Sequence, residues 1–210
     1  MNVTAERTQP ATATAAQISL RDHDLQIARR LDWRYLLPDP KLGKLALIGK
    51  PDGVLLEALQ LLSEKLTVIP SSAHSAPPLP ANCDVAVVCS SETETVALAS
   101  SALRVGGYLY WELGATRSRF SFGRYRAALR KHGFEEIKAY WCRPSFEDCL
   151  EIIPLSEPSA LAFALSRRLG GTRRWLFQAA VRLLAGIAIP AGVVSCPSVV
   201  ARKAKESSSS

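Results

Sequence analysis

The sequence predicts an α/β fold, a doubly wound and mostly parallel Rossmann-like sheet. Three observations carry this expectation. Short apolar runs closed by turn residues alternate with stretches of helical periodicity. The first such unit, residues 45–70, is complete: strand, turn, helix, strand. A right-handed crossover of that kind makes its two strands parallel. The alternation then continues through at least two more units, which favours helices on both faces of a sheet over a ferredoxin-like or other small α/β fold.

The elements follow in order. Residues 1–17 are Thr/Ala-rich and polar and read as a disordered tail. Asp22 or Asp24 is placed to cap a short helix through LQIARRLDW, with Leu25, Ile27, Ala28 and Leu31 on its apolar side. LALIG (45–49) reads as a buried strand and KPDG as a turn. VLLEALQLLSEK (54–65) has Leu55, Leu56, Leu59 and Leu62 at helical spacing. LTVIP (66–70) is the second strand and residues 71–82 a Pro/Ser loop. CDVAVVCS (83–90) is a strand, 93–105 a helix ended by Gly106-Gly107, and YLYWEL (108–113) a strand. A helix through 123–134 ends at Gly133 before the strand 136–144. Residues 145–195 depart from the alternation as an insertion: an extended run FEDCLEIIPL, a short helix SALAFALSRRL, and a basic amphipathic helix over 172–189. SVVARK (198–203) closes the sheet, and 205–210 form a polar tail. The domain proper is expected over 18–204.

The 210 residues are 48% hydrophobic and 21% charged, enough to bury one core. The net charge of +7 favours anionic partners without choosing among them. No DNA- or RNA-binding motif accompanies it, so nucleic acid is not expected. Five cysteines sit mostly in apolar segments with no CxxC pair and no zinc spacing. They read as reduced thiols of a cytoplasmic protein, and no metal is expected. The N-terminus lacks an apolar signal core. Residues 175–194 contain Arg182 and Pro190 and break into a helix and a turn rather than a span.

Three segments carry a family resemblance. CDVAVVCS followed by ALRVGGYLYWEL resembles the fourth strand, fourth helix and fifth strand of the class I S-adenosylmethionine (SAM) methyltransferases. FGRYRAALRKHGFEEIKAYW resembles the next helix, its Gly-Phe corner and the sixth strand, and SVVARK the antiparallel closing strand. The resemblance covers roughly 40–145 and 195–203. LDWRYLLPDP and YWCRPSFEDCLEIIPL are similar to a methyltransferase-like group associated with bacterial polysaccharide or glycoconjugate assembly. The family implies SAM as cofactor. The chain departs from it at three places. The glycine-rich first loop keeps Gly49 and Gly53 but fills the middle with Lys50-Pro51-Asp52. The second strand ends TVIPSS, without the carboxylate that holds the ribose hydroxyls. The third strand and its helix are replaced by the Pro-rich loop.

Candidate residues follow from strand ends, where doubly wound sheets bind ligands. Gly49, Gly53, Pro70 and Ser90 are the cofactor-binding candidates. Asp52 is better placed as a helix cap, and Ser90 has the same alternative. Glu112 ends a strand where a carboxylate could take a proton from an acceptor; a solvated strand-end charge is the plain alternative. His74 is the second acid–base candidate. Trp33, Arg34 and Tyr35 precede the first strand as a candidate substrate lid, with packing on the sheet as the alternative. His132 reads as a helix C-terminal residue and Asp84 as structural. The arginines from Arg167 to Arg182 suit a phosphorylated carrier or an anionic membrane surface, or else form a solvated face. Two functions are expected from this: methyl transfer from SAM to a small or carbohydrate-type acceptor, or an inactive methyltransferase-like scaffold that partners a biosynthetic enzyme, peripheral to the inner membrane. Nucleotide-sugar or phosphate binding at the same sheet edge is a remoter third.

Overall fold

In a computed structural model, residues 15–71, 81–114, 122–167 and 194–204 are described, with side chains from Asp22. His74 and the basic helix predicted over 172–189 lie outside them. Helix α1 (Ala15–Arg30) leads through a 3₁₀ turn (Asp32–Leu36) into β1 (Lys44–Gly49). Then come α2 (Gly53–Leu62), β2 (Lys65–Ile69), β3 (Cys83–Cys89), α3 (Thr95–Ala102) and β4 (Leu103–Glu112). The chain continues through α4 (Phe122–Lys131), β5 (Phe134–Arg143), β6 (Glu151–Pro154), α5 (Pro158–Ser166) and β7 (Pro197–Lys203).

The strands form one seven-stranded sheet in the order β2-β1-β3-β4-β7-β5-β6. The pairs β1/β2, β1/β3 and β3/β4 are parallel. β7 runs antiparallel between β4 and β5. The extended run that opens the insertion becomes β6, an antiparallel edge strand on β5.

Strand alternation divides the core in two. Ala46, Ile48, Ala86, Val88, Leu109 and Trp111 face one side, where Val96 and Ala99 of α3 and Leu129 of α4 cover them. Leu45, Leu47, Val85, Val87 and Tyr110 face the other, under Leu31, Trp33, Leu55 and Leu59. Each fully buried Val, Leu or Ile among them contributes about 1.5–3 kcal/mol of transfer free energy.

Two expectations change. Asp22 and Asp24 lie inside α1, which begins at Ala15, so neither caps it. The Gly106-Gly107 pair does not end α3 but lies inside β4, which begins at Leu103. There the register slips between Cys83↔Leu103 and Val85↔Tyr108. Gly107 is needed because a Cβ would stand 3.0 Å from the Asp84 and Arg104 carbonyl oxygens.

Candidate active site

The carboxyl ends of β1, β3 and β4 carry the site. After β1, Gly49 turns the chain at φ +101°, and a Cβ there would lie 2.5 Å from the Cys89 carbonyl oxygen. The neighbouring strand by itself therefore requires glycine here. Asp52 caps α2: its Oδ1 accepts from Leu55 N at 2.7 Å. After β3, Ser90 Oγ accepts from Glu92 N at 3.1 Å, and Ser90 O accepts from Trp111 Nε1 at 2.5 Å. The Ser90 turn is thereby tied to β4.

Glu112, at the end of β4, is not a solvated charge. Arg30, the last residue of α1, donates from Nη1 to Glu112 Oε1 at 2.6 Å and from Nη2 to Oε2 at 2.8 Å. It also reaches Asp52 Oδ2, from Nε at 3.0 Å and Nη2 at 2.8 Å. Arg30 and Glu112 are 2% and 8% exposed. One guanidinium thus bridges the cap of α2 and the end of β4. Burial works against its charge, but the Glu112 and Asp52 carboxylates outweigh burial and raise its pKa. Asp52 is lowered in turn: burial opposes this, and the Arg30 bonds prevail. The Cys89 thiol, 3.9 Å from Glu112 Oε2, is pushed well up by burial and by that carboxylate.

Local packing explains why Arg30 arrives there. Trp33 lies in the core with its ring parallel to Tyr110, centroids 4.1 Å apart. Tyr110 precedes Glu112 by two positions on β4, so the stack pins the end of α1 over that strand. Tyr35 is exposed and Arg34 half-buried, with Arg34 Nη2 donating to Tyr35 OH at 2.9 Å.

Above this cluster opens a cleft of about 470 Å³, within the usual ligand range of roughly 300–1,000 Å³. Lys50, Pro51, Asp52, Ser90, Ser91 and Glu112 line it, and Phe146 closes one side. Of the sequence candidates, Ser90 and Glu112 meet at this cleft. Gly49, Gly53, Pro70 and the Trp33–Tyr35 triplet are not among its lining residues. Arg30 was missed. Its signal was its phase, three residues after Ile27 on the buried side of α1, where a cation demands a partner.

Five strands running one way, with β7 entered antiparallel beside β4, decide the architecture. The fold is class I methyltransferase-like. No protein-family model and no curated protein matches the chain. Solved structures do. A SAM-dependent methyltransferase from Archaeoglobus fulgidus is 17% identical, with a TM-score of 0.49 over 86% of this chain and 94% of that one. A SAM-dependent methyltransferase from Thermotoga maritima is 14% identical, with a TM-score of 0.45 over 90% and 94%. Phosphoethanolamine N-methyltransferase 2 of Haemonchus contortus, in complex with SAM, is 14% identical, with a TM-score of 0.45 over 88% of this chain and 53% of that one.

Proposed function

We propose that the chain is a methyltransferase that takes SAM in the cleft above Asp52, Ser90 and Glu112 and serves a small or carbohydrate-type acceptor. The observation that carries this reading is the open cleft at the strand ends, lined by the first loop of a methyltransferase-like sheet. The charges suit such a ligand. Arg30, Lys50, Asp52, Glu112 and Glu147 leave one net negative charge at the cleft, favourable for a sulfonium cation. When bound, SAM supplies an already activated methyl group, so the protein's part is to hold and orient. Asp52 and Ser90 would hold the cofactor beside Lys50 and Pro51, with Gly49 and Gly53 shaping the loop beneath and Pro70 ending the neighbouring strand. Arg34 and Tyr35 would lie toward the acceptor, with Trp33 anchoring them, and His74 remains a candidate acid–base group. Both Glu112 oxygens accept from Arg30, so in this arrangement the carboxylate anchors Arg30 at the cleft floor.

That same ion cluster favours the second reading, a methyltransferase-like scaffold partnering a biosynthetic enzyme. Arg30, Asp52 and Glu112 satisfy one another and complete the floor without a ligand. A membrane-peripheral position for such a scaffold would rest on the Arg167–Arg182 segment. Of it only Arg167 is described, paired with Glu151. Among the described residues no helix is long and apolar enough to cross a membrane.

Calorimetric titration with SAM and S-adenosylhomocysteine separates the two. The methyltransferase reading expects micromolar binding, about −8 kcal/mol, lost in Ser91→Trp, which fills the cleft from an exposed position. Absence of binding by both ligands to the folded protein leaves the scaffold.

A further inference from the structure

β5 and β6 form a hairpin whose connecting loop walls the cleft. Cys142 precedes the loop on β5, and Cys149 ends it just before β6. Leu150 N donates to Arg143 O at 2.7 Å, which closes the loop at its base. The two cysteines therefore stand at the two roots of one loop. Both are buried in one small cluster with Cys196, Phe146 and Ile152. Within that cluster each thiol is near enough to the other to shift its protonation. Cys142 also touches Ser198 Oγ at 3.5 Å and Tyr110 OH at 3.9 Å, which fixes its side of the pair on the rigid sheet. The loop between them carries Ser145, Phe146 and Glu147, all lining the cleft. Phe146 also lines the small cavity that reaches Cys142 and Cys149. All five cysteines are free thiols.

We propose that Cys142 and Cys149 are a modification site: peroxide converts them to a disulfide that latches the 144–148 loop and sets the shape of the cleft wall. The Cys149 sulfur attacks one peroxide oxygen, giving a sulfenic acid and releasing the other oxygen as water. The Cys142 sulfur then displaces hydroxide from that sulfenic sulfur, which leaves as a second water. Two thiols lose two electrons and two protons, and one hydrogen peroxide becomes two waters. The order of attack follows from the surroundings. The neighbouring Cys142 thiol draws Cys149 below the ordinary thiol range against the pull of burial, helped by the Arg143 backbone and the field of Arg30. Cys142 is pushed the other way, first by Cys149 and then by burial, and so waits as the resolving thiol. Cys196 is the competitor, since it borders both the cluster and the cleft.

Mass mapping of the folded full-length chain, reduced and then treated with hydrogen peroxide, tests this without any ligand. The tryptic peptide spanning 139–167 is expected to lose the mass of two hydrogens and to regain it with dithiothreitol. The loss should vanish in Cys142→Ser and Cys149→Ser, or in the alanine variants if serine is not accommodated, and persist in Cys83→Ser. Amide exchange over 145–148 should slow roughly tenfold on oxidation. A cross-link to Cys196, addition of oxygen at one cysteine only, or no mass change would overturn the pairing. Unchanged exchange in the disulfide form would overturn the latch.

Discussion

Two arginine–carboxylate groups sit at opposite ends of the same parallel strands, and burial separates them. At the carboxyl ends, Arg30 and Glu112 are joined almost out of contact with water, with Asp52, 26% exposed, as the second partner of the guanidinium. At the amino ends, Arg104 Nε donates to Asp84 Oδ1 at 2.7 Å with side chains 55% and 33% exposed. Asp84 there also accepts from Lys44 N at 2.8 Å, tying β3 to β1. The distances are alike, but the energetics are not. An exposed pair is worth about 0–1 kcal/mol, because water screens it and two flexible side chains must be ordered. A buried pair must first offset several kcal/mol of desolvation per ion and repays this only when complete. Among the described residues the desolvated charge thus lies at the end of the sheet that carries the cleft, and the other end is a simple fastening.

The sharpest way to break that contrast is to remove Arg30. Arg30→Ala leaves Glu112 buried without its cation and is expected to lower stability by about 3–5 kcal/mol, read as a shift in the urea midpoint. The pair Arg30→Met with Glu112→Leu should recover much of the loss, because the carboxylate then left without its cation is Asp52, which is 26% exposed and keeps its bond from Leu55 N. A single variant that costs less than about 1 kcal/mol would mean that water reaches Glu112, and the cleft floor would not be the closed cluster described.

Asp52 gives a smaller and pH-dependent effect. Its carboxyl is held below its ordinary value, with burial opposing and the Arg30 bonds prevailing. Its contribution is therefore complete above the unfolded value of about 3.9 and is lost as pH falls through the lower folded value. Asp52→Asn keeps a capping oxygen but loses the charge-assisted bonds. We expect a cost of about 1.5–3 kcal/mol near neutrality, narrowing as the wild type is acidified below pH about 4. Thermal unfolding of both proteins across that range measures it. A difference that stays constant with pH would show that the Asp52 charge, and so its ion pair with Arg30, is not what stabilises the fold.

The sheet was largely legible, because strands buried on both faces read as unbroken apolar runs and each is followed by a turn. The site was legible only where a single segment carries it. Gly49 and Gly53 look equivalent in the sequence, yet the first is held at φ +101° against Cys89 O and the second opens a helix with nothing near its Cβ position. The strand that distinguishes them arrives only in the folded chain. Arg30 is the extreme case, 82 positions from Glu112. Trp33 reads as a lid residue until Tyr110 is seen beneath it. Gly106-Gly107 reads as a helix stop because the close approach of the Asp84 carbonyl has no local trace.

The last prediction concerns the exposed group and is the smallest. Arg104→Ala removes one cation from the amino ends of the strands. The Asp84 carboxylate keeps its bond from Lys44 N and gains water where the guanidinium was. Its charge is never stranded, because it was never fully desolvated. The expected cost is below about 1 kcal/mol and should shrink further in 1 M salt, where the screening length falls to roughly 3 Å. The Arg30 variant, measured in the same salt, should lose as much as before, since bulk ions do not enter a buried cluster. Equal salt sensitivity at both ends would remove the distinction on which the reading of the cleft floor depends.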